Sequence, residues 1–256
     1  MMERILGKEI TEIGFEPSPK WVRVMLGGKF IANSKRARLL LPGGRPHYCF
    51  PREDVRMDLL ESTGYNEQTP LGKASFWTVR VGNCVAEKGA WTYNQPVAGT
   101  LDLSAYITFD WNKMDAWFEE AEEVHGHPHD PHKRIDILES TRHVEVVVLG
   151  ETIADTHKPI LLFETGLLTR YYVPKVDVRL DLLEQSDRTT ICAYKGRANY
   201  YSVKVGDRIA QDIAWYYRYP TTEASKIAGR IAFYNERVDA LYIDGQKQEK
   251  ARPATW

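Results

Sequence analysis

Short stretches in which apolar and polar residues alternate recur along the chain, and they predict β-strands. Val22 to Leu26 alternates in this way and is followed by Gly27 and Gly28, which predicts a hairpin whose turn needs positive φ. Val55 to Leu59 and Ser75 to Val81 show the same period of two, so each predicts a strand with one buried face. Helical periodicity over ten or more residues is scarce. The pattern therefore predicts an all-β fold of mostly antiparallel strands with little helix.

The second half of the chain repeats the first. Asp54 to Glu61 returns as Asp177 to Glu184 with seven of its eight residues identical, and Ala90-Trp91 returns as Ala214-Trp215. A solenoid would need three or more such units to bury its core, so two copies indicate a fused pair of domains. We predict a first domain over residues 15–124, a linker over 125–136 and a second domain over 137–245.

Histidines crowd the predicted linker, which contains His125, His127, His129 and His132 together with two prolines. Imidazoles at alternate positions of an extended chain are good zinc or nickel ligands, so a metal site is one interpretation. The other is a polar linker, because a closed site needs three or four converging ligands and spacing alone does not supply them. We expect no structural metal here, and the sequence does not identify a cofactor.

Composition limits the classes of binding partner and the cellular compartment that we expect for this protein. The formal net charge of −1 offers no basic field, so we expect no nucleic-acid partner. No apolar run is long enough to cross a bilayer, so we expect no membrane partner either. Cys49, Cys84 and Cys192 form an odd, sparse set without a CxxC pair, which is typical of reduced thiols. We therefore expect a soluble cytoplasmic protein; its oligomeric state stays open.

The two copies differ most in one loop. The second copy has Cys192-Ala193-Tyr194-Lys195-Gly196, whereas the matching stretch of the first copy is Gln68-Thr69-Pro70-Leu71-Gly72. One interpretation is catalytic: Cys192 is a thiol nucleophile and the ammonium group of Lys195 favours its thiolate. The alternative is structural, with Cys192 packed as a small hydrophobic residue and Lys195 in solvent.

Aromatic residues crowd the second copy as well. Tyrosine and tryptophan faces beside basic groups suit a planar or anionic small molecule. The predicted ligand-binding residues are Tyr194, Arg179, Tyr200, Trp215 and Tyr217. Arg179 and Asp181 also lie two apart, like Arg56 and Asp58, so each pair is expected to share a strand face in a cross-strand ion-pair network.

These repeated motifs resemble the family catalogued as domain of unknown function 427, in its bacterial tandem form. The resemblance rests on the repeated Asp-Val-Arg-x-Asp-Leu-Leu-Glu, the Cys-x-Tyr-Lys-Gly loop and the Ala-Trp pair, and covers about residues 15–245. It implies a compact all-β fold similar to a β-tent, in which two antiparallel sheets lean together. Ala193 stands where the family has proline. The family also carries a nucleotidyltransferase-like label.

Nucleotidyl transfer usually needs paired carboxylates that hold divalent metal ions against a triphosphate. No Asp-x-Asp pair, GxxxxGK[ST] loop or GxGxxG turn is present, although carboxylates distant in sequence could still converge. Two hypotheses remain. One is a small-molecule enzyme or ligand-binding protein with one site in the second copy; the other is a non-catalytic interaction module that uses a cleft between the copies.

Overall fold

A computed structural model describes residues 13–42, 44–95 and 102–250 of the chain. The chain forms two compact units that divide between Asp130 and Pro131. We refer to them as the first and the second domain and describe each by itself.

The first domain consists of two antiparallel sheets. One has seven strands in the order β1-β4-β5-β9-β8-β7-β6, and the other has four in the order β11-β10-β2-β3. The strands are β1 (Gly14–Pro17), β2 (Val22–Leu26), β3 (Lys29–Ser34), β4 (Arg38–Leu41), β5 (His47–Pro51), β6 (Leu60–Thr69), β7 (Gly72–Val81), β8 (Cys84–Gln95), β9 (Tyr106–Phe109), β10 (Ala116–Glu119) and β11 (Glu122–Val124).

The second domain repeats this arrangement. Its seven-stranded sheet has the order β12-β15-β16-β20-β19-β18-β17, and its four-stranded sheet has the order β14-β13-β21-β22. The strands are β12 (Ile135–Glu139), β13 (Val144–Val148), β14 (Glu151–Thr156), β15 (Ile160–Glu164), β16 (Arg170–Pro174), β17 (Leu183–Cys192), β18 (Gly196–Val205), β19 (Arg208–Pro220), β20 (Arg230–Phe233), β21 (Ala240–Ile243) and β22 (Gln246–Lys247). β12 begins at Ile135, two residues before the predicted start of this domain at residue 137.

The prediction of an all-β fold with little helix is confirmed. Within the described residues, helical structure is limited to single 3-10 turns of three residues each, at Arg52–Asp54, Met57–Leu59, Trp111–Lys113, Lys175–Asp177, Leu180–Leu182 and Ser225–Ile227. The predicted hairpin is present: Leu26 pairs with Lys29, and Gly27 and Gly28 both have positive φ. Two central residues with positive φ match the right-handed twist of the flanking strands.

The strand predicted over Val55 to Leu59 is wrong. Val55 makes only an isolated bridge to Ala32, and two 3-10 turns carry the chain across to β6. A period of two therefore arises here without a strand. Arg56 and Asp58 pair with each other across their own turn, at 2.6 Å, so the expected cross-strand ion-pair network is wrong too.

Each seven-stranded sheet buries side chains on both faces. In the second domain, Val146 of the small sheet and Val203 and Tyr216 of the large sheet belong to one core, which shows that the two sheets pack face to face. Trp215 and Tyr217 flank Tyr216 on β19 and therefore point the other way. They belong to a separate cluster that draws on the large sheet and on the segment 221–229, which covers part of this face. We call this outer face of the large sheet of the second domain the aromatic face.

Candidate functional site

The Cys-Ala-Tyr-Lys-Gly loop is the tight turn of the hairpin between β17 and β18. Cys192 pairs with Gly196, so three residues form the loop where the first domain has two between Thr69 and Gly72. Gly196 has a φ of +93°, and a Cβ there would lie 3.1 Å from the carbonyl oxygen of Tyr219. Thr221 fastens the loop, because its hydroxyl donates a hydrogen bond to the carbonyl oxygen of Tyr194 at 2.7 Å. The glycine and these contacts fix where the loop side chains point.

Lys195 does not extend into solvent. Its ammonium group contacts the carboxylate of Glu164, the last residue of β15, and the two side chains are only 11% and 6% exposed. In the first domain, strand register places Leu71 at the position of Lys195 and Pro42 at the position of Glu164. Burying an ion pair costs several kcal/mol per ion in desolvation, which its Coulomb attraction repays only in good geometry. The first domain shows that the fold does not need this pair.

Three of the predicted ligand-binding residues lie on the aromatic face, together with Cys192. Tyr200, Trp215 and Tyr217 are buried there, and the half-buried Cys192 packs against the same cluster. Tyr172, which was not among the predicted ligand-binding residues, joins them: its hydroxyl oxygen accepts a hydrogen bond from the indole Nε1 of Trp215 at 3.3 Å. The structure thus gathers a thiol, several phenol groups and an indole on one face.

Tyr172 and Tyr217 are near enough to Cys192 and Glu164 for these groups to affect the pKa values of both phenols. Burial raises the pKa of Tyr217, and the neighbouring Tyr172, Cys192 and Glu164 add to the effect. Burial likewise raises the pKa of Tyr172, where Cys192 and Glu164 again contribute. Both phenols therefore stay protonated at neutral pH and can donate hydrogen bonds.

A second ion pair borders the aromatic face. The guanidinium group of Arg170 donates two hydrogen bonds to Glu236, at 2.6 and 3.0 Å, and lies 5.4 Å from the ring centre of Trp215. Burial acts to raise the pKa of Glu236, but the hydrogen bonds and charge of Arg170, a backbone hydrogen bond and the charge of Arg237 together outweigh it and lower the pKa. Sequence reasoning missed this pair, as it missed Glu164.

Arg179 lies apart from these residues. It precedes β17, whereas Cys192 is the last residue of that strand, and ten strand residues span roughly 30 Å. The guanidinium group of Arg179 binds Asp181 of its own turn through two hydrogen bonds, at 2.9 and 2.7 Å, and both side chains are exposed. The structure does not bring Arg179 to the predicted site.

One group of potential metal ligands stands out among the described residues. His143, Glu145 and Asp155 each place a ligand atom within 4.8 Å of the other two. The group includes none of the linker histidines, of which His127 places Nδ1 2.7 Å from the carbonyl oxygen of Pro128. It lies on the small sheet of the second domain, away from the aromatic face.

A cleft of about 490 Å³ also opens in the second domain, at a different place. Its lining consists of Leu168, Thr169, Tyr171, Asn235, Val238, Asp239, Ala240, Leu241 and the segment 247–250. None of the sequence-predicted site residues lines it. The candidate reactive side chains therefore lie on the aromatic face and not in this cleft.

Fold and site together define an all-β protein of two tandem homologous domains, with the aromatic face and the buried pair of Lys195 and Glu164 in the second domain. The family model described as Domain of unknown function (DUF427) matches residues 14–120 and again residues 136–244, so the chain belongs to this family and contains two copies of its domain. No curated protein matches the chain. Among the described residues, no helix has the length and apolar character that a membrane span requires.

Proposed function

We propose that the protein binds a planar or anionic small molecule at a single site on the aromatic face of the second domain, where Cys192 supplies a reactive thiol and Lys195 a cationic contact. The observation that carries the proposal is the buried pair of Lys195 and Glu164 beside Cys192, at positions where the first domain has Leu71 and Pro42. Burying an ion pair costs free energy and the sister domain does without it, so a role in binding explains the pair better than a role in stability.

The residues of the proposed site have distinct roles. Tyr200, Trp215 and Tyr217 form the buried aromatic base of the site, whose edge a planar ligand would contact, and Tyr194 holds the loop in place through its backbone carbonyl. Cys192 is the partly exposed member, so the ligand approaches from its side of the cluster. Arg188 lies at the rim, 4.6 Å from the ring centre of Tyr200, where it can attract an anion.

Nuclear magnetic resonance with two small probes tests this proposal. Benzoate and benzyl alcohol share a ring and differ in charge. We expect benzoate to cause saturable shifts of the amides of Cys192, Tyr200 and Trp215, and benzyl alcohol to bind more weakly. The double variant Lys195→Gln/Glu164→Gln removes both charges but keeps polar groups of similar shape, so it should remove the preference for benzoate.

An exposed lysine–glutamate pair provides the matched control. Lys204 lies on the same strand as the loop's Gly196 and pairs with Glu184 at 2.9 Å, about half exposed. The variant Lys204→Gln/Glu184→Gln should bind benzoate like the wild type. Shifts that do not saturate, or that fall on the equivalent face of the first domain around Phe76 and Trp91, would contradict the proposal.

A further inference from the structure

Two carboxylates face each other on the small sheet of the second domain. Glu145 of β13 lies directly opposite Asp155 of β14 in the antiparallel register. Like charges at directly opposed positions destabilise a sheet unless a cation lies between them. Nε2 of His143 lies 2.7 Å from Asp155 Oδ1 and 3.8 Å from Glu145 Oε1, so an imidazole nitrogen and two carboxylates converge on one point.

The same positions of the first domain carry no metal-binding set. Register places Trp21, Arg23 and Asn33 where the second domain has His143, Glu145 and Asp155. The first domain has a hydrogen bond where the second has the contact between His143 and Asp155: the indole Nε1 of Trp21 donates a hydrogen bond to Asn33 Oδ1 at 2.6 Å. Arg23 takes the place of Glu145, so no like charges oppose each other there. Only the second domain combines imidazole and carboxylate groups at this place.

We propose that His143, Glu145 and Asp155 form a zinc site that crosslinks β13 and β14. Zinc takes imidazole nitrogen and carboxylate oxygen at bond lengths of about 2.0–2.2 Å, and donor atoms of a tetrahedral site then lie about 3.3 Å apart. The two observed separations of 2.7 and 3.8 Å lie on either side of that spacing, so small side-chain rotations complete the site. The carboxylates supply two negative charges that match the ion.

A second histidine holds the first in place. The rings of His143 and His157 are stacked, with centres 4.1 Å apart and planes 12° from parallel. The backbone N–H of His143 donates a hydrogen bond to Asp244 Oδ1 at 3.0 Å, which holds the backbone of this residue. Partners that orient a ligating histidine strengthen metal binding, so the stacked ring is a positioning element of the site.

Calorimetric titration of the untagged full-length protein with zinc chloride tests the proposal. We expect one equivalent of zinc per chain, and a loss of affinity of at least about tenfold in His143→Gln and in Asp155→Asn. The imidazole resonances of His143 should shift on zinc addition in the wild type. Circular dichroism shows whether each variant is folded, so that a folding defect is not read as a lost ligand.

The linker histidines provide the control. The triple variant His125→Asn/His127→Asn/His129→Asn should keep the full zinc affinity, because its histidines lie outside the proposed set. Binding that disappears in the triple variant, or that is unchanged in both His143→Gln and Asp155→Asn, would overturn the proposal. Zinc binding that does not saturate in the micromolar range would do the same.

Discussion

The ammonium group of Lys195 contacts the carboxylate of Glu164, and both side chains are buried in the second domain. The domain thus maintains a buried ion pair that its sister domain does without. The proposed site depends on this difference between two copies of one fold.

Replacing one member of this pair should lower the stability of the protein much more than replacing both members. Lys195→Leu leaves Glu164 buried without its cation, so we expect it to lower the free energy of unfolding by about 3–5 kcal/mol. Lys195→Leu/Glu164→Leu should recover most of this loss, because apolar replacement of a buried pair is often neutral. Urea denaturation of the full chain measures both. Lys204→Leu, which breaks an exposed pair, should cost at most about 1 kcal/mol. Equal effects of the two single variants would show that Lys195 is no more desolvated than Lys204.

The loop glycine should be intolerant of a side chain. Gly196→Ala has to adopt a φ of +93° and place its Cβ 3.1 Å from the carbonyl oxygen of Tyr219. We expect a loss of stability of roughly 1–3 kcal/mol, the range for a strained backbone position. Gly206 is the control, since it has a φ of +58° and open space around its Cβ position. A smaller loss in Gly196→Ala than in Gly206→Ala, by thermal or urea unfolding, would rule out the close approach.

Much of the fold could be predicted from the sequence. The period of two identified strands such as Val22–Leu26, and the repeat identified the pair of domains. Val55 to Leu59 shows the limit: an alternating pattern also fits a segment in which Arg56 and Asp58 both face solvent from a turn. Periodicity indicates which side chains are exposed, but it does not by itself determine whether the backbone forms a strand or a turn.

The candidate site was only partly visible in the sequence. Cys192 and Lys195 stood out because the repeat breaks at their loop. Glu164 did not, because it follows an apolar strand and aligns with Pro42, and no short-range pattern connects it to Lys195. A carboxylate at the end of Ile160 to Phe163 was the available signal. Arg179 shows the opposite problem, since the length of β17 separates it from the residues with which it was grouped.

In the first domain, His47 should make stability sensitive to acid. Desolvation lowers its pKa from 6.5 to about 4, despite an opposing contribution from Asp110. The unfolded chain therefore binds a proton more readily than the folded one below pH 6.5, so the stabilising contribution of neutral His47 is full above pH 6.5 and is lost as the pH falls towards 4.

Two measurements check this prediction. The His47 ring should titrate with a midpoint near pH 4 by nuclear magnetic resonance. The urea midpoint of the wild type should also fall more steeply than that of His47→Gln between pH 6.5 and 4. Parallel curves, or a ring that titrates at its ordinary pKa, would show that the folded state does not disfavour the charged imidazole.

The most direct test of the proposed site compares the alkylation rates of the three cysteines. Cys84 is exposed, Cys192 half-buried and Cys49 buried, and burial raises the pKa of Cys49 to about 12. Exposure alone would make Cys84 the fastest. Iodoacetate and iodoacetamide are close in size and differ in charge, and peptide mass mapping reports the rate at each thiol.

The account predicts that Cys192 reacts faster than Cys84 at neutral pH and has the higher ratio of iodoacetate to iodoacetamide rates. In Lys195→Gln/Glu164→Gln, that ratio should fall to the value at Cys84, while Lys204→Gln/Glu184→Gln should leave it unchanged. If the rates follow exposure alone, with Cys192 slower than Cys84 and the ratio the same in all three proteins, Cys192 and Lys195 do not form a reactive anion site.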